Sequence, residues 1–333
     1  MLPGRGMDTA QNGEIGGGIC PCNCRDYEER RNVDNQFIRE LQDLLEDGQL
    51  FLQEPMEKHT TFRAGGLADY FVRPGRHQVQ PVAALCRQHQ IPWMVLGNGS
   101  NLLVGDKGIR GLVMDMGRMS GIFVEGDTVR AEAGALLSAT ARRAAEEGLT
   151  GMEFAAGIPG SIGGAVVMNA GAYGGEMCQI IRKATVLTET GEEKSLSLAE
   201  LELGYRKSCI LKNHYIVLET ELQLSKGEEE AIWARMAELR DRRAKKQPLE
   251  YPSAGSTFKR PEGYFAGKLI QDSGLRGYQV GGAQVSEKHC GFVINKEKAT
   301  AAEIRQLISD VQDKVEEQFG VRLEPEVKFT GEF

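Results

Sequence analysis

Two segments of the chain combine glycine with small polar residues in patterns that suit phosphate binding. The first, 97-GNGSN-101, directly follows the apolar run 93-WMVL-96. Glycine lets backbone N–H groups approach phosphate oxygens, and Asn98, Ser100 and Asn101 would add neutral donors. The segment has no Gly-Lys-Ser/Thr ending of a P-loop, and Leu102 stands where a GxGxxG motif needs its third glycine. Taken alone, an ordinary Gly-Asn turn explains it better.

The second segment, 151-GMEFAAGIPGSIGGAVVMNAGAYGGE-176, is too apolar for a linker and too rich in glycine for regular structure. Long irregular segments in compact domains are usually functional. Two glycine-rich stretches that flank a strand-rich unit suit an extended ligand with two phosphates. A tight β-barrel corner is the alternative. The two segments together therefore predict a phosphate-binding region of uncertain type.

The seven cysteines form no even disulfide framework. Cys20, Cys22 and Cys24 are spaced C-x-C-x-C, whereas zinc sites favour two to four intervening residues and a fourth ligand. We therefore predict no metal, and we expect residues 1–30 to be a disordered tail because they carry almost no aliphatic periodicity. The other four cysteines lie singly in apolar or mixed surroundings, as reduced buried thiols do: Cys86, Cys178, Cys209 and Cys290.

Apolar periodicity indicates the elements that must position these segments. Residues 31–118 are predicted to form a small α/β unit. It contains one helix that ends at Gly48, a second helix around Val82–His89, and strands at 93–96 and 112–116. Residues 119–226 are predicted to form a strand-rich unit, with a hairpin around Gly126-Asp127 and strands at 184–190 and 215–224.

A third unit is predicted over residues 227–318. Its first helix, to Gln247, begins with glutamates and ends with basic residues, which opposes both ends of the helix dipole. Its last helix opens with a capping box, Thr300 and Glu303, and ends at Gly320. The terminal segment 321–333 is predicted to be a strand, and residues 319–333 are expected to return to the first unit.

Composition excludes several classes of protein. The formal charge of −7 and the scattered basic residues argue against a nucleic-acid partner. No apolar run approaches the roughly 20 residues of a membrane span, and the N-terminus has no basic segment followed by an apolar stretch. We expect a cytoplasmic monomer that acts on a small molecule. The 41 glycines in 333 residues are nearly twice the average usage of about 7%, which the glycine segments partly explain.

Further motifs make the sequence resemble the UDP-N-acetylenolpyruvoylglucosamine reductases, from about Glu54 to Phe329. Besides the two glycine segments they are 59-HTTFRAGG-66, 205-YRKS-208, 254-AGSTFKRP-261, 267-GKLIQDSGLRGYQVGGAQVSEKHCGFVIN-295 and 323-LEPEV-327. The resemblance implies an α+β flavoprotein of three subdomains. Its FAD-binding region would have two parts, of the vanillyl-alcohol-oxidase/PCMH type, beside a separate α+β substrate domain.

The resemblance also implies a reaction and its cofactors. Hydride would pass from NADPH to FAD and then to C3 of an enolpyruvyl group, and a proton would reach C2. The product would be UDP-N-acetylmuramate, a precursor of peptidoglycan. We expect noncovalent FAD because His59 lacks the Gly-Gly-His context of covalently attached flavins. The FAD-binding residues implied are Gly97, Asn98, Gly99, Ser100, Asn101, Leu102, Gly157, Ile158, Pro159, Gly160, Ser161, Gly163, Gly164, Asn169 and Gly171.

Three residues match the family's catalytic positions. Arg206 would stabilise the substrate carboxylate, because a forked guanidinium suits that planar group. Glu326 would act as a neutral hydrogen-bond donor once burial raises its pKa. Glu324 is the competing glutamate, and the sequence alone cannot choose between the two. Ser256 would donate the proton to C2, a task that depends on position more than on acidity.

The resemblance also implies residues that bind the substrate. Lys246 matches the family's substrate-binding lysine, and Tyr205 is expected near the flavin or nicotinamide, with core packing equally plausible. Arg260 stands where some relatives carry asparagine, which puts its role in doubt. Only 209-CILKNH-214 follows the YRKS segment, so the chain resembles the shorter subtype that lacks a Tyr-bearing substrate loop.

Two other functions remain open from the sequence. The first is an FAD-dependent sugar or alcohol oxidase on the same scaffold, against which the motifs around Ser256 and Glu326 argue. The second is a flavin- or nucleotide-binding module without activity, which would have no need for Arg206, Ser256 and Glu326 together.

Overall fold

The computed structural model describes residues 35–333, so the expected disordered tail and the C-x-C-x-C cysteines lie outside the described residues. The helices are α1 (35–44), α2 (Arg76–Gln88), α3 (Leu137–Glu146), α4 (Ile162–Met168), α5 (Cys209–Lys212), α6 (Glu229–Lys246), α7 (Ala266–Asp272) and α8 (Ala301–Phe319).

Eighteen strands alternate with the helices over residues 35–333. They are β1 (Leu50–Pro55), β2 (Leu67–Val72), β3 (Trp93–Leu96), β4 (Leu102–Val104), β5 (Ile109–Asp115), β6 (Ile122–Glu125), β7 (Thr128–Glu132), β8 (Leu149–Thr150), β9 (Gly171–Ala172), β10 (Gly175–Glu176), β11 (Ile181–Leu187), β12 (Glu193–Ser197), β13 (Ile216–Gln223), β14 (Ser225–Lys226), β15 (Gln279–Val280), β16 (Ala283–Val285), β17 (Val293–Asn295) and β18 (Lys328–Thr330).

The first unit contains a four-stranded sheet in the order β1-β2-β5-β3. Strands β2, β5 and β3 run parallel, and β1 pairs antiparallel with β2. Phe37 and Leu41 of α1 are fully buried, as are Val82 and Cys86 of α2, because each helix carries its apolar residues on one face. The two helices and the strand at 93–96 are confirmed, and the strand expected at 112–116 is the C-terminal part of β5.

The second unit is an antiparallel sheet in the order β12-β11-β13-β7-β6. The predicted hairpin is confirmed: β6 and β7 pair antiparallel, and Gly126 takes a φ of +64° in the turn between them. The apolar core is continuous from the first unit into the second, so the two units share one hydrophobic cluster. They therefore form a rigid base for the glycine segments.

In the third unit, helix α8 packs on the small sheet β15-β16-β17, and helix α7 packs against α8. The capping box at the start of α8 is confirmed, since the Thr300 hydroxyl accepts from the Glu303 N–H at 3.1 Å. Gly320 ends the helix with a φ of +65°. Helix α6, in contrast, contacts α3 and β8 of the second unit.

The end of the chain differs from the predicted strand. Only Lys328–Thr330 form a strand, β18, which pairs in parallel with β4 of the first unit. Residues 321–327 are irregular, so the prediction is wrong there. Pro325 cannot donate a ladder hydrogen bond, and the Glu326 N–H donates to the Thr257 carbonyl at 2.8 Å. This stretch therefore lies across the third unit before it returns to the first.

Two polar contacts fix the third unit against the first. The Asp106 carboxylate accepts from the N–H groups of Ala301 and Ala302 at 2.7 and 2.8 Å, at the start of α8. A carboxylate there stabilises the helix dipole. The Asn295 amide donates to the Phe62 carbonyl at 2.9 Å, and Phe62 itself is buried in the core of the third unit. Over the part of the chain described, no helix is long and apolar enough to cross a membrane.

Candidate active site

The two glycine segments, distant in sequence, contact each other directly. The Asn98 side-chain amide donates to the Pro159 carbonyl at 2.9 Å. A Cβ atom placed on Gly97 would lie 2.4 Å from the Ser161 hydroxyl, so the absence of a side chain permits this approach. The segments therefore form one surface rather than two independent turns.

Gly99 shows why this loop needs glycine. Its φ is +59°, and a Cβ atom there would lie 1.9 Å from the His59 carbonyl oxygen. A side chain would meet fixed backbone, because His59 stacks on Phe71 with ring centroids 4.2 Å apart. The His59 ring also lies 3.0 Å from the Glu54 carboxylate. The neighbouring loop is thus held in place against Gly99.

A cavity of about 920 Å³ opens beside this surface, where all three units meet. Gly97 and Asn98 of the first unit and Pro159 of the second line it, together with residues of the third unit. Among residues 35–333, the side-chain oxygens of Thr61 and Gln247 are buried in its wall without a hydrogen-bond partner. Buried polar atoms are normally satisfied, so these two indicate a ligand with polar groups.

Arg243 adds a positive charge to the same cavity. It projects from α6 beside Gly157, and burial lowers the pKa of its guanidinium. Within the described part of the chain, no carboxylate lies within ion-pair distance of it. Arg243 is half-buried, and a cation withdrawn from water is stabilised by a paired anion. The cavity is therefore suited to a large, elongated anion, and FAD fits its donors, its close backbone and its size.

Next to this cavity lies a second pocket, of about 420 Å³, which brings together the three residues predicted to be catalytic. Arg206, Ser256 and Glu326 all line it, although they are 50 and 70 residues apart in sequence. Its other charged lining residues are basic: Arg260, Lys268, Arg276 and Lys288. Glu326 is the single carboxylate among the residues that line it, so the pocket attracts anions.

Arg206 and Glu326 form the central contact of this pocket. The Arg206 Nε donates to Glu326 Oε1 at 2.5 Å, and only 13% of the Glu326 side chain is exposed. Burial raises the pKa of Glu326, although the Arg206 guanidinium opposes this shift. If an anionic ligand draws Arg206 away, the protonated form of Glu326 becomes more favourable still.

The structure distinguishes the two glutamates of the LEPEV motif. Glu324 pairs with Lys259 and has 69% of its side chain exposed, whereas Glu326 faces Arg206. In a regular strand the two would share one face. The irregular backbone around Pro325 separates them, which is why the sequence alone could not choose.

Ser256 and Glu326 are held on neighbouring extended segments. The Thr257 carbonyl accepts from the Glu326 N–H at 2.8 Å, and the Thr257 N–H donates to the Gly291 carbonyl at 2.8 Å. Phe258 and Pro325 form an isolated antiparallel bridge. These backbone bonds place the exposed Ser256 hydroxyl at the wall of the pocket.

Aromatic and basic side chains surround the mouth of this pocket. Tyr205 is 59% exposed and its hydroxyl accepts from the Arg260 backbone N–H at 3.1 Å. The Arg206 guanidinium lies over the Tyr205 ring at 5.2 Å, and that of Arg260 over the Phe265 ring at 4.0 Å. Tyr205 is therefore a surface residue at the pocket and not part of the core.

Several residues of the predicted FAD-binding set face protein. The Asn101 amide donates to the Glu326 carbonyl, Leu102 pairs with Lys328 in β4, and Gly163 packs against Ala133. Asn169 and Gly171 lie beyond the far end of α4, where Asn169 bonds Glu176 and Gly204. The remaining members stay within the contacting segments: Ser100, Ile158, Gly160, Ser161 and Gly164.

Lys246, predicted to bind substrate, is the last residue of α6 and is exposed. It lies near enough to His289 to contribute to the lowered pKa of that imidazole, for which burial is the larger cause. Because His289 lines the second pocket, Lys246 extends the basic surface at its edge.

Sequence reasoning missed several lining residues. Arg243 and Gln247 carried no motif, although the run of basic residues before Gln247 was a usable signal, and Thr61 lay in the segment 59–66 without being assigned a role. Arg276, Lys288 and His289 lie within the segment 267–295 that carried part of the resemblance, but nothing in their spacing assigned them to the pocket. Tertiary structure alone brings them together.

Comparison with known proteins agrees with this geometry. The model for the C-terminal domain of UDP-N-acetylenolpyruvoylglucosamine reductase matches residues 247–330, and an FAD binding domain model matches residues 68–197. A reductase of that name from Agathobacter rectalis is 54% identical over 314 residues, covering 90% of this chain and 100% of the relative. One from Lachnoclostridium phytofermentans is 54% identical over 306 residues, covering 90% and 99%.

A solved structure extends the comparison to the fold. The crystal structure of UDP-N-acetylenolpyruvylglucosamine reductase from Thermus caldophilus is similar with a TM-score of 0.73 at 35% identity. The match covers 85% of this chain and 98% of that one. The predicted fold class is confirmed: the chain is an α+β flavoprotein with an FAD-binding region and a further α+β part.

Proposed function

This chain belongs to the UDP-N-acetylenolpyruvoylglucosamine reductase family, and from this premise we propose that it reduces UDP-N-acetylglucosamine enolpyruvate to UDP-N-acetylmuramate with NADPH. This reaction would supply a precursor of peptidoglycan. The observation that carries the proposal is the convergence of Arg206, Ser256 and Glu326 in one basic pocket beside the larger cavity.

FAD is the cofactor, and the larger cavity is where the chain would hold it. Residues 97–101 and 157–164 would surround its phosphates, with Arg243 as the balancing cation and the orphaned oxygens of Thr61 and Gln247 as polar partners. When bound, FAD would supply the hydride chemistry, in which hydride passes from NADPH to the flavin and then to C3 of the enolpyruvyl group.

Arg206 binds the carboxylate of the enolpyruvyl group. Negative charge develops on C2 and on this carboxylate as C3 gains hydride, so a fixed cation there stabilises the transition state. To reach the substrate, the Arg206 guanidinium exchanges its contact with Glu326 for the substrate carboxylate. The ion pair with Glu326 thus keeps the Arg206 guanidinium close to the position in which it would bind the carboxylate.

Glu326 acts in its protonated form. Burial already raises its pKa, and the loss of Arg206 to the substrate, together with the substrate's own charge, favours the neutral acid further. A neutral Glu326 can donate a hydrogen bond to the developing enolate, which a carboxylate cannot do.

Ser256 delivers the proton to C2. Its hydroxyl is exposed at the pocket wall on the segment adjacent to that of Glu326. Protonation of an enolate carbon requires a donor in the correct position more than a strong acid. The basic lining residues and Lys246 would hold the substrate diphosphate.

The test is an anaerobic absorbance titration of the purified flavoprotein. NADPH should bleach the flavin band, and subsequent addition of the enolpyruvyl nucleotide sugar should restore it with formation of UDP-N-acetylmuramate. An oxidase on the same scaffold would instead recover its flavin band only with oxygen. Recovery with oxygen but not with the enolpyruvyl substrate would contradict the proposal.

A further inference from the structure

Arg206 lies at the tip of a strained turn. Gly204 and Lys207 exchange both backbone hydrogen bonds, at 3.0 and 3.1 Å, so Tyr205 and Arg206 form a two-residue loop. Arg206 takes a φ of +54°, in the left-handed region that favours glycine. A residue with a bulky side chain keeps this conformation only where its surroundings enforce it.

Asn169 holds one side of this turn. The residue is 2% exposed, and its amide nitrogen donates to the Gly204 carbonyl at 3.3 Å and to the Glu176 carboxylate at 3.2 Å. Its amide oxygen accepts from the Cys178 N–H at 2.9 Å. With a φ of +42°, Asn169 also ends helix α4. The orientation of the amide is thus fixed from three sides.

Ser208 holds the other side. It is buried, and its hydroxyl donates to the Val167 carbonyl at 2.7 Å. Val167 lies in the last turn of α4, where carbonyl groups lack partners within the helix. Both flanks of the Arg206 turn are therefore attached to the C-terminal end of α4.

The opposite end of α4 lies in the second glycine segment. Ser161 caps the helix, and the N–H groups of Ile162 and Gly163 donate at 2.8 Å to Ala135 and Ala133. Seven helical residues span about 10 Å. Helix α4 thus connects the wall of the FAD cavity to the turn that carries Arg206.

We propose that Asn169 and Ser208 are positioning residues, which hold Arg206 through α4 at a fixed distance from the FAD cavity. This proposal rests on the proposed function, since it concerns the reaction step in which Arg206 meets the substrate carboxylate. It gives Asn169 a role different from FAD binding. Neither residue lines the FAD cavity or the substrate pocket, and both act through the guanidinium.

Two variants test the proposal separately. Ser208→Ala removes the hydroxyl bond to α4. Asn169→Gly removes the amide while leaving a residue that accepts positive φ. Ser273→Ala is the matched control, because the Ser273 hydroxyl is also buried and donates to a helix carbonyl, that of Leu269 at 3.0 Å, away from the Arg206 turn. All three are assayed as FAD-loaded protein.

We expect both variants to keep flavin bleaching by NADPH within about twofold of the native rate, while kcat/KM for the enolpyruvyl substrate falls about 10- to 100-fold. The pH profile of kcat/KM should also move. A displaced Arg206 no longer favours ionised Glu326, so the loss of activity with rising pH should begin at a higher pH. Ser273→Ala should change neither the half-reactions nor the profile.

A double substitution shows whether the effect passes through Arg206. In an Arg206→Ala background, Ser208→Ala or Asn169→Gly should lower kcat/KM by less than about twofold, because the group they position is gone. Full additivity, or an unshifted pH profile in both single variants, would overturn the proposal. Failure of the native protein to convert the enolpyruvyl substrate would instead refute the proposed function, so the two failures are distinguishable.

Discussion

The two glycine segments beside the FAD cavity approach their neighbours closely because they lack side chains, whereas the substrate pocket is lined by charged side chains from three separate parts of the chain. In the cavity, close approach depends on missing side chains. In the pocket, activity depends on where particular side chains point. Added side-chain atoms should therefore impair FAD binding at the cavity, whereas the removal or displacement of side chains should impair the substrate pocket.

The largest effect is expected from adding one carbon to the first glycine segment, beside the FAD cavity. In Gly99→Ala the new Cβ would lie 1.9 Å from the His59 carbonyl oxygen, in a backbone with a φ of +59°. The clash and the strain together should lower the free energy of unfolding by about 3 kcal/mol or more. The purified variant should also carry little FAD, measured by the ratio of flavin to protein absorbance.

Gly126→Ala is the control for backbone conformation. Gly126 has a φ of +64° but would place its Cβ with no atom within 4 Å. Strain alone should cost about 1–2 kcal/mol, with full FAD content. Equal loss of FAD in the two variants would show that close approach at Gly99 is not what the cavity requires.

A smaller effect is expected from exchanging one cation for another in the substrate pocket. Arg206→Lys keeps the charge but loses the planar fork that suits a carboxylate. We expect kcat/KM for the enolpyruvyl substrate to fall about 100-fold, with FAD content and flavin bleaching by NADPH unchanged. Steady-state kinetics measures kcat/KM, and stopped-flow absorbance measures flavin bleaching by NADPH. A matching decrease in flavin content would instead indicate that the pocket and the cavity depend on each other.

The smallest effect is a pH dependence carried by Glu326. Its pKa is raised by burial, and the proton must be present for it to donate to the enolate. The rate of flavin reoxidation by substrate should therefore be highest below the raised pKa and fall about tenfold per pH unit above it. Glu326→Gln, which keeps a neutral donor, should be slower near neutral pH but should lose this decline. A decline that persists in Glu326→Gln would assign it to another group.

Most of the fold was predictable because its elements carry local signals. The apolar periodicity of α1 and α2, the Gly126-Asp127 turn and the capping box at the start of α8 each predicted an element that the structure contains. Residues 321–327 were predicted to be strand and are irregular. Their conformation is set by contacts with Thr257 and Phe258, which are distant in sequence.

The site residues also divide into those that local sequence marks and those that only tertiary contacts bring together. The glycine segments indicated a phosphate-binding surface from their composition, because backbone access depends on residues adjacent in sequence. Nothing local marked Ser256, and the choice of Glu326 over Glu324 depended on a backbone that turns one carboxylate toward Arg206 and the other toward Lys259. Arg243, Gln247 and Thr61 were missed because only the packing of three units brings them to one cavity.

The separation of the two regions is tested most directly by the half-reactions of Ser256→Ala, followed by stopped-flow flavin absorbance without oxygen. NADPH should bleach the flavin at close to the native rate, since Ser256 contributes nothing to that step. Reoxidation by the enolpyruvyl substrate should be nearly abolished, because C2 has lost its proton donor. Equal slowing of flavin reduction and flavin reoxidation would contradict the role of Ser256 as proton donor. It would also contradict the separate roles of the cavity, which binds FAD, and the pocket, which binds the substrate.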